Sequence, residues 1–130
     1  MTTDIGYEII GAAMEVHRIL GPGLLESAYK SALTKELTTR GFSVKTEVPI
    51  DLIYKGDRLD VGYRADMIVN DEVIIELKTV TEINPIFHMQ LITYLKVSGK
   101  KLGFLINFNS PSLKYNESYF RKVNNLNNGN

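Results

Sequence analysis

The chain contains 130 residues, 44% of them hydrophobic and 23% charged, which is the composition of one ordinary globular domain. Its 15 basic and 15 acidic residues cancel, so the overall charge gives no support to nucleic-acid binding. Cysteine is absent, which excludes a disulfide and a thiolate zinc site, and no apolar run approaches the ~18 residues of a membrane span. Because residues 1–4 show no signal peptide, we expect a cytoplasmic protein that does not act at a membrane.

Two helices are predicted at the start of the chain. Apolar residues recur at helical spacing from Ile5 to Leu20, directly after Asp4, which is a good N-cap. The sequence Gly21-Pro22-Gly23 ends this helix. A second helical pattern runs from Leu25 to Leu37 and stops before Gly41, so the two form a pair joined by a short loop.

Extended segments follow, interrupted by one more helix. The segment from Val73 to Val80 is apolar on both faces, which predicts a central strand of a sheet. Pro85 suits the first turn of a third helix that finishes at Gly99. The predicted strands are Phe42–Val48, Ile50–Tyr54, Leu59–Val69, Val73–Val80 and, as the last one, Leu102–Phe108. We therefore predict a single domain over residues 1–123 and a polar, disordered tail over residues 124–130.

Three charged residues stand inside the apolar strands, where charge is costly unless it is paired or binds a metal. Glu76 and Lys78 are two residues apart on a strand, so they point to the same face. A three-residue hairpin loop, 70–72, places Asp66 opposite Glu76. A two-residue loop pairs Asp66 with Ile75 instead and turns the two acids to opposite faces. We predict the three-residue loop.

Opposed residues on neighbouring strands have Cβ atoms about 4.5–5.5 Å apart, so two such carboxylates can share a cation. Magnesium prefers oxygen ligands, which Asp66, Glu76 and the Leu77 carbonyl would supply. Lys78 would then stand beside the attacking water or the phosphate oxygens and offset developing negative charge. The alternative is that Lys78 only forms an ion pair with the two acids at the end of the sheet. The spacing of the three residues alone does not decide between these interpretations.

Two further residues have a structural and a functional interpretation. Glu26 lies near the start of the second helix, where the helix dipole already favours an acid. Taken by itself, that role is the more frequent one for such a residue, ahead of metal binding. Gln90 on the third helix can orient a phosphate or a water, or its amide can simply bond to nearby backbone.

The sequence also resembles a known protein family. Gly23-Leu24-Leu25-Glu26-Ser27-Ala28-Tyr29 matches the signature of the GxxExxY proteins, small bacterial and archaeal members of the PD-(D/E)XK nuclease superfamily. The similarity extends over roughly Ile5 to Val123. Its other matching segments are His17 with Leu20-Gly21-Pro22, Tyr54-Lys55-Gly56, Ala65-Asp66, Glu76-Leu77-Lys78, Gln90 with Tyr94-Leu95, Leu102-Gly103 and Asn107-Phe108.

The resemblance implies an α/β, restriction-endonuclease-like fold. Its α-β-β-β-α-β core has a mixed central sheet flanked by helices, here with an extra N-terminal helix. It also implies that Glu26 completes the acidic pocket of Asp66 and Glu76, and that Gln90 lies beside Lys78. Ala65 stands where the superfamily pattern has a proline, a substitution that the superfamily tolerates.

We therefore expect a nuclease that hydrolyses phosphodiester bonds of DNA or RNA with Mg²⁺ or Mn²⁺. Two alternatives stay open. One is a non-catalytic module with the nuclease fold that binds a protein or nucleic-acid partner. The other is a metal hydrolase acting on a small phosphate, which suits the neutral charge. A homodimer or a partner chain would supply the contacts that a long duplex needs and this chain lacks.

Overall fold

The computed structural model of the protein describes residues 4–125. Its helices are α1 (Ile5–Leu20), α2 (Glu26–Thr39) and α3 (Pro85–Ser98). The side chain of Asp4 accepts a hydrogen bond from the Gly6 N–H at the start of α1, as the predicted N-cap requires. In this part of the chain, no helix is long and apolar enough to cross a membrane.

The strands form one large sheet and one small hairpin. They are β1 (Val44–Pro49), β2 (Leu52–Tyr54), β3 (Asp57–Leu59), β4 (Arg64–Val69), β5 (Val73–Lys78), β6 (Leu102–Asn107) and β7 (Tyr119–Val123). The large sheet has the order β1-β4-β5-β6-β7, and its neighbours are antiparallel except for the parallel pair β5 and β6. The strands β2 and β3 pair only with each other.

The order α2-β1-β4-β5-α3-β6 reproduces the predicted core, with α1 as the extra N-terminal helix, so the predicted fold is confirmed. Alternate residues of β5 serve two hydrophobic cores. Val73, Ile75 and Leu77 pack with α1 and α2, while Ile74 packs with α3. Because both of its faces are covered, β5 has the central position that its continuous apolar sequence predicts.

The predicted strand Leu59–Val69 is wrong, because the chain divides it in two. The strand β3 ends at Leu59, and β4 begins only at Arg64. Gly62 in the connection has a φ of 72°, a left-handed conformation that glycine adopts readily and that a continuous strand does not contain. As a result, the β2–β3 hairpin lies outside the large sheet, and β4 alone continues into it.

The prediction that the segment Leu102–Phe108 is the last strand is also wrong. The strand β7 follows it and pairs antiparallel with β6. Its sequence, Tyr-Phe-Arg-Lys-Val, shows no clear alternation, so its pairing with a buried neighbour is what makes it a strand. Asn124, the first residue of the predicted tail, donates side-chain hydrogen bonds to the Leu95 and Lys100 carbonyls. Residues 126–130 of that tail lie outside the described residues.

Candidate active site

The loop between β4 and β5 has three residues, as predicted, because Val69 pairs with Val73 across it. In this register Asp66 lies opposite Glu76. The backbone pairing of β4 and β5 nevertheless ends at Met67 and Ile75, and beyond that point side-chain carboxylates accept the backbone N–H groups. The Asp66 N–H donates to Glu76 Oε2 at 2.9 Å, and the Leu77 N–H donates to Asp66 Oδ2 at 2.8 Å. These two hydrogen bonds hold both carboxylates between β4 and β5, where the strands separate.

Glu76 is the most deeply buried acid of this group, with 4% of its surface exposed. Burial, together with the charge of Asp66, raises the pKa of Glu76 to about 8 from an ordinary value of 4.5. The hydrogen bond from the Asp66 N–H and the charge of Lys78 oppose this rise without cancelling it. A buried carboxylate that stays protonated near neutral pH is a group that a cation would stabilise in its ionised form.

Glu26 is brought toward these two acids by the start of α2. The Tyr29 hydroxyl donates to the Gly21 carbonyl and accepts from the Leu24 N–H at 3.1 Å, so the loop before the helix is tied to the helix itself. Burial and the charge of Asp66 raise the pKa of Glu26, while Lys78 and Lys30 lower it in part. The structure thus places Glu26 in the electrostatic field of the predicted site.

Lys78 is the last residue of β5 and is half-buried. Its ammonium group lies 4.3 Å from the centre of the Phe87 ring, on α3, which is a cation–π contact. Its carbonyl accepts the Phe108 N–H at 2.9 Å, which fixes the backbone at this point. Among residues 4–125, no ion pair within 4 Å joins Lys78 to an acid. The alternative, a simple ion pair of Lys78 with Asp66 and Glu76, is therefore not formed within this distance, although the charge of Lys78 still acts on Glu76.

Gln90 and Tyr94 lie one turn apart on α3. Both line a surface groove of about 270 Å³, whose wall also contains Leu52 and Tyr63. Within residues 4–125, no hydrogen bond joins the Gln90 amide to Lys78. Tyr94 is a buried residue, and the charges of the nearby acids act on its hydroxyl group. Burial, and after it the charge of Glu76, raises the pKa of Tyr94 to about 12.

Lys30 and Glu47 also belong to this site, and the sequence analysis missed them. Lys30 is one helical turn after Glu26, and its ammonium group lies 3.8 Å from Asp66 Oδ1 and forms an ion pair with Glu47. Because residues four apart share a helix face, the spacing of Lys30 from Glu26 could have predicted that Lys30 lies at the site. Glu47 lies opposite Asp66 on β1, and only the pairing of β1 with β4 reveals that.

The donors at this site fit a hard divalent cation, because the carboxylates of Glu26, Asp66 and Glu76 and the Leu77 carbonyl all offer oxygen. In the described part of the chain, no three carboxylate or histidine side chains are already arranged around one ion position. Asp66 and Glu76 each turn one oxygen toward a backbone N–H instead. Binding of one ion by all three carboxylates therefore requires them to move from these positions.

The raised pKa of Glu76 makes a prediction for the metal-free protein. A folded-state pKa above the ordinary value means that the folded protein holds the proton more tightly, so its contribution is present below pH 4.5 and lost as the pH rises through about 8. We expect the free energy of unfolding in EDTA to fall by a few kcal/mol between about pH 5 and pH 9 because of this group.

The comparison of the wild type with Glu76→Gln isolates this effect. The pKa of His88 is lowered by burial and by Lys122, so His88 acts in the opposite sense below pH 6.5, but it does so equally in both proteins. Urea unfolding at a series of pH values is expected to show that the free energy of unfolding of the wild type falls relative to that of Glu76→Gln as the pH rises to about 8. A difference that does not vary with pH would contradict the raised pKa.

The mixed sheet, the crossover through α3 and the acids where β4 and β5 separate define a restriction-endonuclease-like α/β protein. The family model of the PD-(D/E)XK nuclease superfamily matches residues 3–121, and the chain belongs to this superfamily. This membership indicates a nuclease-type function, and PD-(D/E)XK nucleases generally use divalent metals.

The chain was also compared with solved structures and with curated protein sequences. The crystal structure of SSO0001 is similar to this protein with a TM-score of 0.48 and 15% sequence identity. The similarity covers 93% of this chain and 78% of that one. No curated protein sequence matches the chain.

Proposed function

We propose that this protein is a divalent-metal-dependent nuclease of the GxxExxY group that hydrolyses phosphodiester bonds of DNA or RNA. The observation that carries the proposal is the pair Asp66 and Glu76, opposed across the separated strands with Lys78 two residues farther along β5. Three polar residues at these positions cost folding energy in an apolar sheet, so a role in binding and chemistry explains their presence.

Each residue has a role that follows from its position. Glu26, Asp66, Glu76 and the Leu77 carbonyl would hold Mg²⁺ or Mn²⁺, which supplies charge neutralisation and a bound water of lowered pKa. Lys78 is held over the Phe87 ring and outside any ion pair in the described residues, so its ammonium group is free to face a phosphate oxygen. Gln90 would orient the substrate from the groove on α3.

A metal titration tests the first half of the proposal. Calorimetric titration with Mn²⁺ is expected to show binding to the wild-type protein at millimolar or lower concentration. The matched control is the double variant Asp66→Asn, Glu76→Gln, which keeps the shape of both side chains and removes both charges. Equal Mn²⁺ binding by the wild type and the double variant would overturn the site, and absence of binding by both would favour a non-catalytic module with this fold.

A substrate panel tests the second half. Single-stranded and duplex DNA and RNA oligonucleotides, together with mononucleotides and a small phosphodiester, are each incubated with Mg²⁺, Mn²⁺ or EDTA. We expect cleavage of an oligonucleotide that EDTA stops. The net charge of zero favours a second candidate, a metal hydrolase of small phosphates, and cleavage confined to the small substrates would select it.

A further inference from the structure

Lys30 lies at the edge of the candidate metal site without belonging to its proposed ligands. Its ammonium group is 3.8 Å from Asp66 Oδ1 and also pairs with Glu47. The other oxygen of Asp66 is occupied by the Leu77 N–H, so Lys30 faces the oxygen of Asp66 that remains available. The Lys30 ammonium group therefore occupies the side of Asp66 from which a divalent ion would approach, and the two cations repel each other.

Glu47 is held in an unusual way. Thr46 pairs with Met67 and Val48 with Ala65, so Glu47 lies opposite Asp66, but its own pairing is interrupted. Its φ of 52° is in the left-handed region, which costs energy for a residue with a side chain. The ion pair with Lys30 gives a reason for keeping glutamate rather than glycine at this backbone position.

The charges around Lys30 favour its role as a counter-ion. Burial lowers the pKa of Lys30, but the hydrogen bond to Glu47 and the charges of Asp66, Glu47 and Glu26 outweigh this effect and raise it. The Lys30 ammonium group lies between Asp66 and Glu47, and 20% of its side-chain surface is exposed, so it is held at the site by these contacts. A fixed positive charge among several carboxylates reduces the repulsion between them, as a bound metal ion does to a larger extent.

We infer that Lys30 is an internal cation that competes with the divalent metal for Asp66, and that Glu47 is the second acceptor that holds Lys30 aside when the metal binds. This inference rests on the proposed function, because it concerns the same metal site. Lys30 and Glu47 are positioning residues here, since they set how readily the carboxylates accept the ion. The pair thus tunes the metal affinity of the site.

The test is a set of Mn²⁺ titrations by calorimetry on the wild type, Lys30→Met, Lys30→Arg and Glu47→Gln. Lys30→Met is expected to bind Mn²⁺ about tenfold more tightly, because the competing charge is gone, while Lys30→Arg stays close to the wild type. Glu47→Gln is expected to bind Mn²⁺ several-fold more weakly, because Lys30 then turns fully to Asp66. Lys35→Met, on the same helix, removes an exposed charge that forms no ion pair within the described residues and is the control.

The double variant Lys30→Met, Glu47→Gln separates two roles of Glu47. If Glu47 acts through Lys30, its replacement has no further effect once Lys30 is methionine. If Glu47 is itself a metal ligand, its replacement weakens Mn²⁺ binding in both backgrounds, and the inferred role of Glu47 is overturned.

Thermal unfolding gives a second readout that needs no enzyme activity. In EDTA, Lys30→Met is expected to unfold at a lower temperature than the wild type, and Mn²⁺ is expected to raise its unfolding temperature by more. An ion pair with a purely structural role would lower the unfolding temperature without tightening Mn²⁺ binding.

The outcomes distinguish this inference from the proposed function. If the wild type binds Mn²⁺ and Lys30→Met binds it no more tightly, the inference fails and the metal site stands. If only Lys30→Met binds Mn²⁺, the inference is supported. If neither protein binds Mn²⁺, both the proposed metal site and the inference are overturned.

Discussion

Replacing Lys78 by methionine is expected to lower the rate of metal-dependent phosphodiester cleavage by about 10²–10³-fold, the loss typical when one group that stabilises transition-state charge is removed. Methionine keeps the unbranched apolar stem, so the packing of residue 78 against the Phe87 ring is largely retained. The ammonium charge is lost, and with it the group placed to offset the negative charge that develops on the phosphate.

The measurement is the rate of oligonucleotide cleavage at saturating Mn²⁺, alongside Mn²⁺ binding by calorimetry. Because Lys78 is not a proposed metal ligand, we expect Mn²⁺ to bind Lys78→Met at least as tightly as it binds the wild type. The control is Lys96→Met, which removes one charge from the exposed part of α3 and should leave cleavage unchanged. Cleavage by Lys78→Met at the wild-type rate would exclude a catalytic role for this lysine.

Replacing Phe108 by alanine is expected to lower the free energy of unfolding by about 3–5 kcal/mol, a large part of the stability of a domain of this size. Phe108 is fully buried directly after β6, and its ring stacks on Tyr29 with 4.7 Å between the ring centres. The alanine side chain leaves a cavity between the sheet and α2 that the surrounding rings cannot fill.

The effect of Phe108→Ala is measured by urea unfolding at neutral pH. Ile53→Ala on the β2–β3 hairpin is the control, because 61% of Ile53 is exposed and its replacement removes little buried surface. A loss below about 1 kcal/mol in Phe108→Ala would show that the core relaxes around the missing ring. The Phe108 N–H that donates to the Lys78 carbonyl is kept in the variant, so the backbone contact at Lys78 is not itself removed.

Much of the fold follows from local sequence patterns. The helices α1 and α3 begin and end close to the predicted residues, because Asp4 and Asn84 cap them, Pro85 starts α3, and Gly21 and Gly99 terminate them. The central strand β5 is also predictable from the sequence, since its apolar run reflects burial on both faces. These features depend on hydrogen bonds and packing within a few residues, so the sequence carries them directly.

The elements that were predicted wrongly depend on distant partners. The strand β7 exists because β6 offers it a row of backbone groups, and Asn107 on β6 also binds the Ser118 carbonyl just before β7. The β2–β3 hairpin is separated from β4 by an irregular connection with left-handed backbone at Gly62, which no apolar pattern marks. In both cases the preference of the segment itself is weak, and pairing decides its structure.

The candidate site divides in the same way. The sequence by itself determined that Asp66, Glu76 and Lys78 are costly in apolar strands, and it predicted a three-residue loop, which the register of β4 and β5 confirms. Only the tertiary structure decided that the strands separate there, that Lys78 forms no ion pair within the described residues, and that Lys30 and Glu47 reach Asp66. The physical reason is that electrostatic contacts depend on distances across separate elements, which residue spacing along the chain does not fix.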